Sequence, residues 1–432
     1  MAVIYGTARN DVLIGTVGND QIFGLEGDDA LDGAPGDDVL VGGYGRDTLT
    51  GGLGTNVLFG FSEVASNAVQ GFGASNPDGG DVFYGGPGNN IMWGGTAIPG
   101  STFTGDDTFY IGRGNDAAAG GDGVDTAVFE LPRGAYTVTS GPIGFPTAAD
   151  AQLSGTSVER NTGLGVIQTR LIEVENLSFL DGRVVRDPNA PTAQVVRLYQ
   201  AALDRPPDPA GLDFWASRLA AGVPIAQIAA AIANSPEFQE RFGAPGAAGY
   251  VQQLYRNVLG REGDPPGIAF WVDRLNAGAS RGDVLAGFAT SAENRAATDP
   301  LIQQGIWLPD ERIAQVARLY DTAFDRAPDP AGLAAWRNAL DAGASVEQIA
   351  QSFAAAPEFR ALYGDPTASA AALVDGLYRN TLDREPDPAG RTFWVQQLQS
   401  GTLTPAQVVL GFSESAEHRA NTAADTLLAG LR

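Results

Sequence analysis

Asp11, Asp20, Asp29, Asp38, Asp47 and Asn56 follow one another at intervals of nine residues, each two places before an aliphatic: Leu13, Ile22, Leu31, Leu40, Leu49 and Leu58. Cut from Gly6, the chain reads GTARNDVLI, GTVGNDQIF, GLEGDDALD, GAPGDDVLV, GGYGRDTLT and GGLGTNVLF, with nothing inserted or deleted up to Phe59. Carboxylates spaced this way, beside glycines that open tight-turn backbone angles, ligate hard cations. A shell of about six to eight oxygens in a flexible turn suits calcium, which tolerates irregular geometry.

A unit this short cannot bury its aliphatic residue alone, so neighbouring units must stack as a solenoid. The spacing predicts a glycine turn and one short strand per unit, and two units per coil. Leu13, Leu31 and Leu49 then stack on one sheet, and Ile22, Leu40 and Leu58 on the other. Adjacent parallel strands lie about 4.8 Å apart, which puts Asp11, Asp29 and Asp47 in one column and Asp20, Asp38 and Asn56 in another. Such like charges repel by roughly 3 kcal/mol per pair at an effective dielectric of about 20. Calcium is the expected neutraliser.

The register breaks after Gly60 at FSEVASNAVQGFGAS, and NPDGGDVFY and GGPGNNIMW resume it in a new phase. After a second interruption, FTGDDTFYI, GRGNDAAAG and GDGVDTAVF follow. These later units add Asp81, Asp107, Asp116 and Asp125 as candidate ligands. Asn90 at a sixth place, and Ala118 and Ala127 at eighth places, predict fewer or looser sites. Asp29, with a coil neighbour on each side, is expected to matter more than Asp125. Residues 131–187, with AYTVTSG and LIEVENLSFLDGRVV, read as a strand-rich closing segment with a hairpin turn at Asp181 and Gly182.

The nonapeptides resemble GGxGxDxUx, the hemolysin-type calcium-binding repeat of RTX proteins. The resemblance implies a calcium-binding parallel β-roll over 1–130, interrupted by insertions. It also implies type I secretion from a Gram-negative bacterium, to the cell surface or the medium, with TAADTLLAGLR as the candidate carboxy-terminal signal.

Composition changes at DPNAPT, and a second repeat begins. LYQAALDRPPDPAGLDFWASRLAAG, LYRNVLGREGDPPGIAFWVDRLNAG, LYDTAFDRAPDPAGLAAWRNALDAG and LYRNTLDREPDPAGRTFWVQQLQSG are four versions of one unit. Each capping Asp-Pro (Asp208, Asp264, Asp329, Asp387) starts a helix, and Gly222, Gly278, Gly343 and Gly401 stop it. The copies resemble the helical DUF4214 family, which predicts all-α modules at 188–245, 246–305, 306–366 and 367–432, each a compact bundle. Arg205, Arg261, Arg326 and Arg384 are expected to form ion pairs that tie down the interhelix loop. Trp215, Trp271, Trp336 and Trp394 are expected in the core, and His418 on the surface. The fold class is thus mixed multidomain: β-roll, then helical repeats.

The formal net charge is −24, and all 27 basic residues are arginine. Such a field repels nucleic acid and anionic membrane, and the longest apolar stretch, from Ile225, is too short to insert into a bilayer. MAVIYGTARNDVL shows no cleavable signal. Cysteine is absent and His418 is the one histidine, which leaves thiol chemistry, HExxH zinc sites and the usual triads without their residues. No GxSxG elbow is present, and a Walker loop lacks its lysine. The sequence therefore reads as a non-enzymatic, secreted, calcium-binding structural or adhesive protein. It would assemble at the cell surface, in a surface layer or in an extracellular matrix, through self-association or a cell-surface glycan. The alternatives are a polysaccharide-binding accessory module, with Tyr44, Trp93, Phe61 and Phe72 lining a groove, and a polysaccharide-acting enzyme.

Overall fold

The computed structural model describes residues 1–60, 80–95, 105–144, 152–163, 165–243, 245–365 and 369–422. The insertion after Gly60, with Phe61 and Phe72, and the carboxy-terminal segment beyond Thr422 lie outside the described residues. The chain divides into two compact units. Among the described residues, one comprises Met1–Phe179 with Arg183–Leu308, and the other Leu180–Gly182 with residues 309–422.

In the first unit, the nonapeptides wind into two parallel sheets. One runs Val12–Ile14, Ala30–Asp32, Thr48–Thr50, Val82–Tyr84, Thr108–Tyr110, Thr126–Val128 and Asn176–Phe179; the other starts at Val3–Tyr5 and continues through Gln21–Glu26, Val39–Tyr44 and Val57–Phe59. Leu13 pairs with Leu31 and Leu31 with Leu49, while Ile22, Leu40 and Leu58 align on the opposite sheet. Both interruptions leave the ladder intact: Leu49 pairs with Phe83, Phe83 with Phe109, and Met92 with Ala118. The new phase in sequence is not a new phase in space. Ile22, Leu31, Leu40, Leu49, Leu58 and Phe83 are buried in one core, each aliphatic contributing about 1.5–3 kcal/mol.

Thr137–Gly144, Gln152–Asn161 and Val166–Ile172 close one sheet with antiparallel pairing. On the other sheet, the hairpin expected to turn at Asp181 and Gly182 turns one residue earlier, at Leu180–Asp181, between Asn176–Phe179 and Gly182–Val185.

Each helical copy contributes four helices, as in Pro191–Leu203, Pro209–Ala220, Ile225–Ala233 and Pro236–Phe242. Asp208, Asp264, Asp329 and Asp387 cap the second helix by accepting from the N–H of Gly211, Gly267, Gly332 and Gly390, with proline next in line. Those glycines have a second reason. A Cβ there would fall 2.1–2.8 Å from the hydroxyl of Tyr199, Tyr255, Tyr320 or Tyr378. The first helix ends on Asp204, Gly260, Asp325 or Asp383, all left-handed with φ of 50–59°, a conformation that Gly and Asp tolerate. That explains why Gly260 replaces an acid without loss of structure. Each expected arginine ion pair forms with the fourth helix: Arg205–Glu237, Arg261–Glu293, Arg326–Glu358 and Arg384–Glu417.

Two expectations are corrected. Copies one and two bury their side chains in one shared core, as do copies three and four, so the packing unit is a pair and not a single copy. The cause is the third helix, whose apolar surface exceeds one face: Ile225–Ala233 packs so tightly on Arg281–Ala289 that a Cβ on Gly282 would lie 2.4 Å from the Ala226 carbonyl. His418 is buried, 1% exposed, because it occupies the core position filled by Phe238 and Phe359 in other copies. Its Nδ1 lies 3.1 Å from the Thr381 carbonyl. The four tryptophans are half-buried against the cores.

A pair that shares one core should unfold as one. Phe412→Ala in copy four removes a fully packed ring, at a cost of about 3–5 kcal/mol. Hydrogen exchange should then accelerate equally in copy three, in Glu311–Phe324 and Val346–Ala355. Acceleration confined to copy four would restore independent bundles.

Candidate metal centre

Parallel register turns the sixth-place residues into an inner ladder. The Asp11 N–H donates to Asp29 Oδ1 at 2.7 Å, Asp29 to Asp47 at 2.8 Å, and Asp47 to Asp81 at 2.6 Å. Asp81 donates to Asp107, Asp107 to Asp125, and Asp125 to Glu175 Oε2 at 2.9 Å. The second column runs from Asp20 to Asp38 to Asn56 to Asn90 to Asp116. One oxygen of each side chain thus replaces a strand–strand hydrogen bond across the turn, and the other is left to find its own partner.

Threonine supplies that partner in the first two units. Thr7 and Thr16 donate from both backbone and hydroxyl to Oδ2 of Asp11 and Asp20, at 2.6–2.8 Å. The Thr16 hydroxyl and the surrounding N–H groups hold the Asp20 carboxyl below its usual range. From the third unit the second place is Leu25, Ala34 or Gly43. Oδ2 of Asp29, Asp38, Asp47 and Asp125 is then buried with no hydrogen-bond partner.

Burial pushes these carboxyls up, and the neighbour in the column adds to it. Asp29 and Asp38 are raised, and Asp47, fully buried beside Asp29, reaches about 7. Asp107 also reaches about 7, and Asp125, between Asp107 and Glu175, about 9. Asp116 is raised by burial as well. Asp125 therefore has column neighbours on both sides, which removes the reason for ranking Asp29 above it.

Among the described residues no three acidic side chains converge on one point. Carboxylates alone do not complete a cation shell here; backbone must contribute. The turns are built for that. A Cβ on Gly24 would lie 2.3 Å from Asp29 Oδ2 and 2.5 Å from the Gly42 carbonyl oxygen, and one on Gly42 would lie 2.3 Å from Asp47 Oδ2 and 2.8 Å from the Gly60 carbonyl. Only glycine lets an orphaned carboxylate oxygen and a carbonyl of the next coil approach so closely. An all-oxygen set of carboxylate, amide and carbonyl fits calcium. When bound, it would supply the positive charge that the inner ladder lacks. Asp29, Asp38, Asp47 and Asp125, together with turn carbonyls, are the residues to hold it.

The fifth place forms a second, outer ladder that the nine-residue reading left out. The N–H of Asp28 donates to Asn10 Oδ1, Asp37 to Asn19, Arg46 to Asp28, and Thr55 to Asp37, at 2.8–3.1 Å. Asn and Asp at four of the first six fifth places were the available signal. Glu175, which ends the inner column, had none, being 50 residues from its partner Asp125.

The ladder separates charge from hydrogen bonding, and two substitutions can test this. Asp47→Asn keeps an acceptor for the Asp29 N–H while removing a buried charge. Without calcium it should stabilise the roll by about 1–3 kcal/mol, and it should reduce the gain on adding calcium. Asp47→Ala strands that N–H and should cost about 1–3 kcal/mol in either state. The pH dependence has a definite sign. Carboxyls whose folded pKa lies above the unfolded value of about 3.9 add stability below that value and lose it as pH rises through the folded pKa. In chelator, the β signal should therefore weaken from about pH 4 to about pH 9, and calcium should restore it at the upper end. A chelated roll that strengthens with pH would contradict the geometry.

The family model described as RTX calcium-binding nonapeptide repeat (4 copies) matches residues 5–40, 32–60 and 78–96. That described as domain of unknown function (DUF4214) matches 191–242, 229–298, 313–363 and 350–422, just over half of the chain. No curated protein matches the sequence. Among solved structures, the chain is similar to the AlgE6R3 subunit of the Azotobacter vinelandii mannuronan C5-epimerase, at 19% identity and a TM-score of 0.14, over 38% of this chain and 72% of that one. The chain belongs to the DUF4214 family and carries RTX calcium-binding nonapeptide repeats, wound into a parallel β-roll ahead of four helical copies.

Proposed function

We propose that this is a secreted structural or adhesive protein in which calcium sets the roll and the helical pairs carry association at a cell surface, in a surface layer or in a matrix. The inner ladder is the observation that carries the reading. A column from Asp11 to Glu175, buried between Asp29 and Asp125, keeps its shape only when its charge is neutralised, so folding is linked to calcium by mass action. A chain kept unfolded where calcium is scarce can pass a type I channel and fold outside. Among the described residues, no helix is long and apolar enough to cross a membrane.

Repetition supports presentation of similar surfaces more than it supports a single reactive constellation. We also propose that the protein performs no turnover. It lacks cysteine and lysine, and its one histidine is buried against the Thr381 carbonyl.

Sedimentation velocity and electron microscopy across a calcium titration test the proposal. Calcium should raise the sedimenting mass or yield ordered arrays, and chelator should reverse this. A folded monomer at every calcium level, releasing product from a polysaccharide, would replace the reading with an enzymatic one.

A further inference from the structure

Two tyrosines on the roll face solvent together. Tyr84 and Tyr110 are in direct register on adjacent coils, with ring centroids 4.5 Å apart and planes 9° from parallel. They remain 40% and 39% exposed. Their column neighbours are Thr50 on one side and Val128 on the other. Both are shorter than tyrosine, so the stack keeps an outer ring face uncovered at each end. A cavity of about 480 Å³ opens here, lined by both tyrosines, Val128, Arg113, Glu130 and the backbone of the Gly85–Pro87 turn. That volume lies in the range of small-molecule sites, about 300–1,000 Å³.

Charge limits what could sit there. In a chain of net charge −24, the outward residues of this sheet from Thr48 to Ser178 are all uncharged. The charged groups at the cavity rim, Arg113 and Glu130, pair with each other at 3.5 Å and are both more than half exposed. Polyanions meet repulsion from the surrounding field, and a cation finds its one carboxylate already paired. Rings that already bury most of their surface leave under about 100 Å² each, far below the roughly 800 Å² per partner of a stable protein interface. A polyhydroxylated ring with an apolar C–H face fits all of this. It stacks on an aromatic face, bonds to tyrosine hydroxyls, and reaches the Arg113–Glu130 fork. Rings fixed in a strand ladder also lose little entropy on binding.

We propose that the Tyr84–Tyr110 stack, with Arg113 and Glu130 at its rim, is a binding site for a neutral glycan. Tyr44 and Trp93, the described aromatics expected from sequence to line a groove, do not line this one, and Tyr44 is itself buried. The inference stands apart from assembly, because the site is complete within one roll.

The test uses the full chain in calcium, titrated calorimetrically with oligosaccharides of a neutral glucan, mannan and galactan, and with polygalacturonate as the charged counterpart. At least one neutral series should bind. Tyr110→Ala and Tyr84→Ala should each weaken it tenfold or more, and Tyr110→Phe should retain most of the affinity. Circular dichroism and sedimentation in calcium should be unchanged in all three. The proposal falls if no neutral series binds, if only polygalacturonate binds, or if affinity survives both alanine variants. It also falls if Tyr110→Ala abolishes self-association, which would make the stack a contact between copies.

Discussion

Asp29, Asp47, Asp81, Asp107 and Asp125 each turn one oxygen toward the N–H of the preceding coil, and this single contact governs the rest of the roll. It holds consecutive turns in register and satisfies a backbone donor that sheet pairing cannot reach. It also stacks carboxylates at the spacing of parallel strands, where their mutual repulsion is greatest. The same bond that builds the column therefore creates its electrostatic debt. Hydrogen bonding and charge pull in opposite directions along one line of side chains, and a bound divalent cation would reconcile them.

Other features of the roll follow from keeping that line unbroken. The first-place glycines admit the orphaned oxygen, since any Cβ at Gly24 or Gly42 would overlap it. The eighth-place aliphatics keep coils stacked from inside. Where amides replace acids, at Asn56 and Asn90, the demand falls: Asn56 Nδ2 donates to Asn90 Oδ1, and Asn90 Nδ2 to the Gly88 carbonyl and Asp116 Oδ1. The two columns thus differ in kind. The column from Asp11 is acidic throughout, whereas the one from Asp20 partly neutralises itself.

Periodicity made the roll legible, because a period of nine fixes both which residues align and which face inward. The pairing of Leu13 with Leu31 and of Ile22 with Leu40 needed no more than that. Contacts without a period were hidden. Glu175 closes the acidic column from beyond the last nonapeptide, and Tyr84 meets Tyr110 only because the interruption between them leaves the coils in register. In the helical part, caps and stops were local and readable, but the pairing of copies was not. A single copy contains every signal for its own helices and none for which partner covers the third. His418 misled for a related reason: its type suggested the surface, while its position, shared with Phe238 and Phe359, required the core.

The two repeats solve one problem by opposite means. The nonapeptide leaves charge unpaired inside the chain and would take its counter-charge from solution, which would tie its stability to an outside concentration. The helical copy supplies both charges itself: an arginine after the first helix and a glutamate in the first turn of the fourth, repeated as Arg205–Glu237 through Arg384–Glu417. Exposed pairs like these are worth about 0–1 kcal/mol each, so they orient the loop while apolar cores such as that around Leu254 and Val284 hold the fold. Lysine is absent throughout, and the bidentate reach of arginine suits these paired sites, where both carboxylate oxygens are engaged. Among the described residues, the buried carboxylates that would call for calcium lie in the roll. The helical pairs carry their fittings ready-made, so their own folding has no built-in reason to respond to the ion.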